Sequence, residues 1–424
     1  MNRFLVRFAL LLCLLSSAAF AETDTTVPAT KGYVTRAVSP TDFDVDGFHI
    51  LCDSKTQFES TSDEKTFLAH PARKHYLGQP ASVFGVRNNK AHTIAATKVV
   101  VTAPEEESVS GLAIIDLLLP GDKAQPGERH LRADGYRIQI TPKTKTTFHA
   151  PLSALQDVKT NVWIKYSGIV QPDGTLVADT AEFTANIIRE GEDKLRTHNE
   201  YDPGAVDPKD KQSGISKHFL GVNVKKIPPY KDPVMQARVD RIGATLIPAY
   251  QRNLPASDPT KIDFRFQLID DFKWHDAITL PSGIILVPRQ VVERMQNDSQ
   301  LATVLADNIA CAIEKQLYRA EPAYTMIAAS QLASGVGGFF VPGLAVAGLA
   351  ANHKAAKTIE RHAEEQSGRI SLGYLHNAGY DVREAPKAWW LLAPKKPKDI
   401  REIKLPDRAA YLYYILGQSW RTVQ

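Results

Sequence analysis

Asp307 and Cys311 stand one helical turn apart in the apolar stretch Leu301-Ala-Thr-Val-Leu-Ala-Asp-Asn-Ile-Ala-Cys-Ala-Ile313. At i and i+4 their side chains share one helix face, and carboxylate and thiolate both bind zinc. Glu364, in Glu364-Glu-Gln-Ser-Gly368, supplies a third anionic oxygen donor. Such a set carries three negative charges and suits a divalent cation. Asn308, beside the first donor, cannot accept a proton. A hydrolytic metal site built on it would therefore lack a general base, which is worth about 10²–10⁴-fold in rate. The bland reading takes Cys311 as a small buried hydrophobe and Asp307 as a solvated or hydrogen-bonded carboxylate, which leaves no metal site.

The segments around this helix set its position. Phe264-Arg-Phe-Gln-Leu-Ile-Asp270 alternates as a strand does. Asp276-Ala-Ile-Thr-Leu-Pro-Ser-Gly-Ile-Ile-Leu-Val-Pro-Arg289 runs through a Pro-Ser-Gly turn into a second, apolar strand. Asn297-Asp-Ser299 reads as a helix cap, and Val234, Val239, Ile242 and Leu246 predict a helix over 233–254. Ala378-Gly-Tyr-Asp381 closes the order ten residues beyond Gly368.

This succession resembles the gluzincin peptidases of the HtpX/CAAX-prenyl-protease type, particularly their soluble periplasmic relatives, over residues 220–420. Members carry N-A-x-x-x-P-x-G before a strand, an H-E-x-x-H helix, a later E-x-x-A-D helix and A-G-Y-D-P. Position by position, Asp307 and Cys311 stand where the two zinc-binding His would be, and Asn308 where the general-base Glu would be. Lys315-Gln316 replaces an Arg-His pair, Asp276 the Asn, and Gly368 the Asp. Glu364, Pro281 and Gly283 match the pattern. The resemblance implies an α+β gluzincin-like domain with a degenerate HExxH motif. On that basis the expectation is a pseudopeptidase with no catalytic residue and no cofactor, binding a polypeptide or cell-envelope protein through a former substrate groove. The alternative is a zinc metalloendopeptidase using Asp307, Cys311 and Glu364. His275, His353, His362 and His376 recreate no i, i+4 ligand pair.

Ahead of this part, residues 31–105 and 108–190 read as two copies of one small all-β domain, a barrel or sandwich of OB-like type. Asp46-Gly-Phe-His-Ile50 answers to Asp134-Gly-Tyr-Arg-Ile138, and Lys55-Thr-Gln-Phe58 to Lys145-Thr-Thr-Phe148. Gly85 to Thr97 has the same spacing as Gly168 to Thr180. A third reading of function makes these repeats the binding module and the rear domain structural. Trp163 and Tyr166 read as core or edge aromatics, and aromatic–basic interleaving is too sparse for nucleic acid. Residues 191–228, rich in charge with Pro and Gly, read as an exposed linker before a domain over 229–424.

Residues 1–21 read as a signal peptide: Arg3 and Arg7, an apolar run, then Ala19-Phe-Ala21. The expected location is periplasmic or secreted. The formal charge of +4 falls to +2 with the loss of Arg3 and Arg7, too little to argue for nucleic acid or anionic lipid. Cys52 and Cys311 would remain, with no disulfide framework. The Ala-, Gly- and Val-rich run 323–351 is long enough for a membrane span, but Gly335, Gly337, Gly338, Pro342 and Gly343 divide it. A helical hairpin that permits membrane contact is expected there rather than a span. The Tyr411–Trp420 aromatics read as core.

Overall fold

The computed structural model describes residues 27–60, 76–102, 105–120, 127–198, 201–205, 227–270, 276–320, 350–393 and 405–421. The signal-peptide stretch, His275 and the 323–349 run lie outside them.

The first copy is a six-stranded sheet in the order β3-β2-β1-β5-β6-β4, with β3 also pairing β6. Its strands are β1 (Thr30–Ser39), β2 (Asp42–Val45), β3 (Phe48–Leu51), β4 (Gln57–Ser60), β5 (Pro80–Asn88) and β6 (Thr93–Val101). The β3–β6 pairing is parallel and closes five strands into a ring, with β4 added outside on the far half of β6. That ring order is the one an OB-fold barrel uses. Alternation fills the inside with Val34, Phe43, Val45, Ile50, Val83, Ile94 and Val99.

The second copy repeats the topology. It comprises β7 (Glu107–Leu118), β8 (Arg129–Ala133), β9 (Tyr136–Ile140), β10 (Lys145–Phe148), β11 (Val162–Val170) and β12 (Thr175–Ala185). The order is β10-β12-β11-β7-β8-β9, closed by β12–β9. Both copies turn from second to third strand on Asp-Gly pairs with positive φ: Asp46 and Gly47 (49° and 78°), Asp134 and Gly135 (54° and 75°). These are the pairs that tight hairpins favour. Both also bulge at a glycine, Gly85 and Gly168. The matched Thr spacing, however, is not a structural match. Gly85 pairs Ala96, leaving Thr97 as the extra residue; Gly168 pairs Ala178, leaving Asp179 as the extra residue, and Thr180 pairs Ser167. The hairpin of the second copy is one residue shorter, so equal spacing counts different residues.

By contact the chain divides into two units, one holding the first barrel and the other running on from Pro104. The second barrel therefore belongs with the helical part, where three separate domains were expected. The charged segment read as linker also differs. It opens with α1 (Glu190–His198), whose buried Glu192 accepts from Arg196 and Lys315, both at 2.8 Å. Tyr201, fully buried, donates to the Ile227 carbonyl at 2.8 Å. Burial of one ion pair and one tyrosine overrides the local polarity.

The helical part contains α2 (Pro233–Leu246) and α3 (Ala249–Asn253), separated at Pro248, which cannot continue a helix. The single helix expected over 233–254 is therefore two. A small sheet of β13 (Arg265–Ile269), β14 (Ile278–Thr279) and β15 (Ile284–Pro288) follows, with β15 central and wholly buried. The expected turn is present, with Gly283 at φ 92°. Then come α4 (Arg289–Arg294), α5 (Asp298–Ile313), α6 (Ala350–Asn377), α7 (Ala385–Leu392) and α8 (Asp407–Ser419). Asn297 caps α5 as read, accepting from the Gln300 amide. Helix α5 is the centre of this part, packed by α2, α6 and α7 and by β14. No helix among the described residues is long and apolar enough to cross a membrane.

Candidate functional site

Helix α5 carries Asp307, Asn308 and Cys311, and α6 crosses it carrying Glu364, Ser367 and Gly368. The two helices that carry the candidate donors therefore pack against each other. The chemistry there is set by a residue the sequence did not single out. Arg408, in the first turn of α8, donates from Nη2 to Asp307 Oδ2 at 2.8 Å and from Nη1 to Asp276 Oδ2 at 2.6 Å. Its guanidinium lies 3.3 Å from the centroid of the buried Trp389 ring on α7. Ser367 donates to the other Asp307 oxygen at 2.9 Å. Asp307 is thus engaged on both oxygens. Burial pushes its carboxyl up and Arg408 pulls it back; Arg408 is itself raised by Asp307, Asp276 and Glu364 against its own desolvation.

Asn308, at the position the resemblance would give the general base, is committed elsewhere. Buried Asn308 donates from Nδ2 to the Val304 carbonyl at 2.9 Å, and its oxygen accepts from the Thr279 hydroxyl at 2.6 Å. Its carboxamide therefore ties α5 to β14. Cys311 is half-buried, and desolvation, reinforced by Asp307, pushes its thiol up to about 12. A metal binding there would have to displace that proton. Glu364 is exposed on α6. Desolvation first, then Asp307 and Asp276, raise its carboxyl against the pull of Arg408, and water screens these effects at such a position. Gly368 leaves room filled by Leu412, whose Cδ2 would sit 3.4 Å from an added Cβ.

These donors do not fit a resident zinc ion. One carboxylate is taken by an arginine and a serine, and the third donor is exposed on α6. Among the described residues no three His, Cys, Asp or Glu side chains cluster in a metal-holding arrangement. Exposed His362 faces Glu365 at 3.7 Å, and His376 meets the Trp420 ring edge-on at 5.4 Å. Three acids around one point do require a counter-cation, and that was the available hint of Arg408. Nothing in Pro406-Asp407-Arg408 marks which cation.

The family model of a domain of unknown function, DUF5666, matches residues 31–100, the first barrel. No curated protein matches the chain.

A second concavity opens between the second barrel and the helices. It encloses ≈ 570 Å³ and is lined by Tyr136 and Tyr166 from the barrel, Gln366 and Arg369 from α6, and Tyr411 and Tyr414 from α8. Tyr411 and Tyr414 were expected in the core, yet they are only half-buried here; Tyr413 alone of the three is fully enclosed. Tyr166 is buried and donates to Asp134 at 2.5 Å. Trp163 carries Arg319 over its ring at 5.5 Å.

Proposed function

We propose that this protein is an exported pseudopeptidase: a relative of the HtpX-type gluzincins, catalytically inactive, that binds a polypeptide or cell-envelope partner through the former substrate groove. The observation that carries this reading is the Arg408 bridge between Asp276 and Asp307. A guanidinium on α8 supplies the positive charge that the carboxylates would otherwise draw from a metal ion. It does so with hydrogen bonds on both sides and an aromatic ring against its face. An arginine cannot polarise water as zinc does, and Asn308 cannot take the proton. Export to the periplasm follows from the reading of residues 1–21, and the tandem barrels would act as accessory contact modules.

Metal content of the purified mature protein tests the proposal, measured by mass spectrometry beside Asp307→Ala and Cys311→Ser variants, with casein turnover assayed in parallel. The expected outcome is substoichiometric zinc in all three proteins and no hydrolysis. Near-stoichiometric zinc that disappears in both variants would overturn it in favour of the Asp307, Cys311 and Glu364 peptidase.

A further inference from the structure

Strand β7 is paired on both sides over only part of its length. Against β11 it pairs from Glu107 to Ile114. On its other edge β8 joins only at Ile115, Leu117 and Leu118. Backbone groups of an antiparallel strand point alternately to its two neighbours. The Ile114 amide donates to Glu314 at 3.0 Å and the Leu112 carbonyl accepts from Gln366 at 3.0 Å, both on the side away from β11. By alternation, both backbone groups of Ser108 and Ser110 and the Leu112 amide face the same way. No strand covers that edge among the described residues.

The groove of ≈ 570 Å³ lies against this edge: Val109, Ser110, Gly111 and Leu112 form one wall, and Ala363 and Gln366 of α6 face them. Ser108, Ser110 and Leu112 are exposed. Glu314 and Gln366 act as a backbone partner would and end the edge at Ile114, so what is left open runs from Ser108 to Leu112. At about 3.4 Å per residue it spans about 15 Å.

We propose that the Ser108–Leu112 edge of β7 takes an extended polypeptide segment as an added strand, whose alternate side chains rest on the tyrosine walls of the groove. Strand addition draws affinity from main-chain hydrogen bonds and selectivity from pockets for every second side chain. The groove offers both. Most of its charges are matched within the protein: Arg369 by Asp134, Arg319 by Glu314, and Glu365 by Arg361 and His362, while Glu107 at one end is held by the neutral Tyr414 and Gln418. The partner is therefore an uncharged, proline-free stretch with bulky alternate side chains. This site shares no residue with the Arg408 cluster and does not rest on the pseudopeptidase reading.

The test uses the full mature protein and a fluorescein-labelled hexapeptide of alternating valine and threonine, read by anisotropy. A second peptide is N-methylated at the alternate amides that would face β7. Ser110→Pro removes an outward amide while leaving the β11 ladder intact, the position at which an edge strand tolerates proline. Ser108→Pro does the same two residues away, and is the variant to use if Ser110→Pro melts early. Saturable binding of the unmodified peptide is expected, with at least tenfold loss on N-methylation and in whichever proline variant keeps the wild-type melting temperature. No binding at millimolar peptide, or equal binding by the methylated peptide or by a folded proline variant, overturns the proposal.

Discussion

Arg369 reaches from α6 to the turn between β8 and β9, where its Nη2 lies 2.5 Å from Asp134 Oδ1 and its Nε donates to the Asp134 carbonyl at 2.9 Å. Arg132 crosses the other way. It pairs with buried Asp116 at 2.8 Å and reaches the Gly373 carbonyl at 3.4 Å and Asn377 at 3.3 Å on the same helix. Glycine is needed at both crossings. A Cβ on Gly135 would stand 2.6 Å from the Arg369 backbone, and one on Gly373 would stand 3.0 Å from the Arg132 guanidinium. The helix that carries Glu364 is thereby held to the second barrel by two reciprocal arginines.

Removing one partner of such a pair leaves a buried charge uncompensated, which costs about 3–5 kcal/mol. Arg369→Met and Arg132→Met are each expected to lower the stability of the unit beginning at Pro104 by that order in urea unfolding. The unfolding of the first barrel should be unchanged, because it forms the other unit. A loss under about 1 kcal/mol, the range of exposed pairs, would show that these bridges are not structural.

Arg408→Ala strands Asp307 and Asp276 together. It should destabilise the protein by an amount of the same order, about 3–5 kcal/mol. Asp307→Asn in the same chain should recover a large part of that loss, because it removes the charge Arg408 matched. A double-mutant cycle by chemical denaturation measures the coupling. Additive losses would mean that the 2.8 Å contact carries no coupling energy.

Glu314 is buried at the end of α5; its Oε1 accepts from Ile114, and its Oε2 has no hydrogen-bond partner. Desolvation, only partly opposed by Arg319 and the Ile114 amide, pushes its carboxyl up to about 8 from 4.5. The folded protein thus keeps a proton that the unfolded chain releases, so stability should fall as pH rises between about 4.5 and 8. Glu314→Gln keeps the acceptor for Ile114 and is expected to flatten that slope, with its gain over wild type largest at the alkaline end. Thermal melts from pH 5 to pH 9 decide it. Parallel curves for the two proteins would place the titration elsewhere.

Asn308→Ala removes the 2.6 Å acceptor of the Thr279 hydroxyl, which keeps only the Asn308 carbonyl at 3.1 Å, and the side-chain donor to the Val304 carbonyl. A loss of about 1–3 kcal/mol is expected by denaturant titration. Asn308→Glu, which restores the residue type of the base, should give no casein hydrolysis while Arg408 remains. Turnover by that single variant would contradict the account of the site.

The duplication, the Asp-Gly turns, the cap at Asn297 and the Pro-Ser-Gly turn were legible because each depends on residues close in sequence. So was the meeting of α5 with α6, through motif order. The roles inside the cluster were not. Asp307 and Asn308 carry donors and acceptors with many potential partners, and the ones they use, Arg408 and Thr279, come from distant segments. The start of the segment read as linker departs from that reading for the same reason. Glu192 looks solvated in a charged run until Lys315, more than a hundred residues later, pairs with it in the interior.

The twin barrels have inherited one problem and solved it differently. Gly32 faces Ala81 as Ala113 faces Ile164, which makes Tyr33 and Ile114 counterparts. In the first barrel the turn acid Asp46 takes the Tyr33 amide at 3.2 Å, so that barrel satisfies its own strand. In its twin the Ile114 amide goes to Glu314, and the matching acid, Asp134, is released to hold Arg369 and Tyr166. Self-sufficiency was traded for attachment. Cut from the chain, the first barrel keeps every such bond, whereas the second loses the acceptor for Ile114 and the cation for Asp134. The first copy closes this bond within itself; the second closes it through the helices.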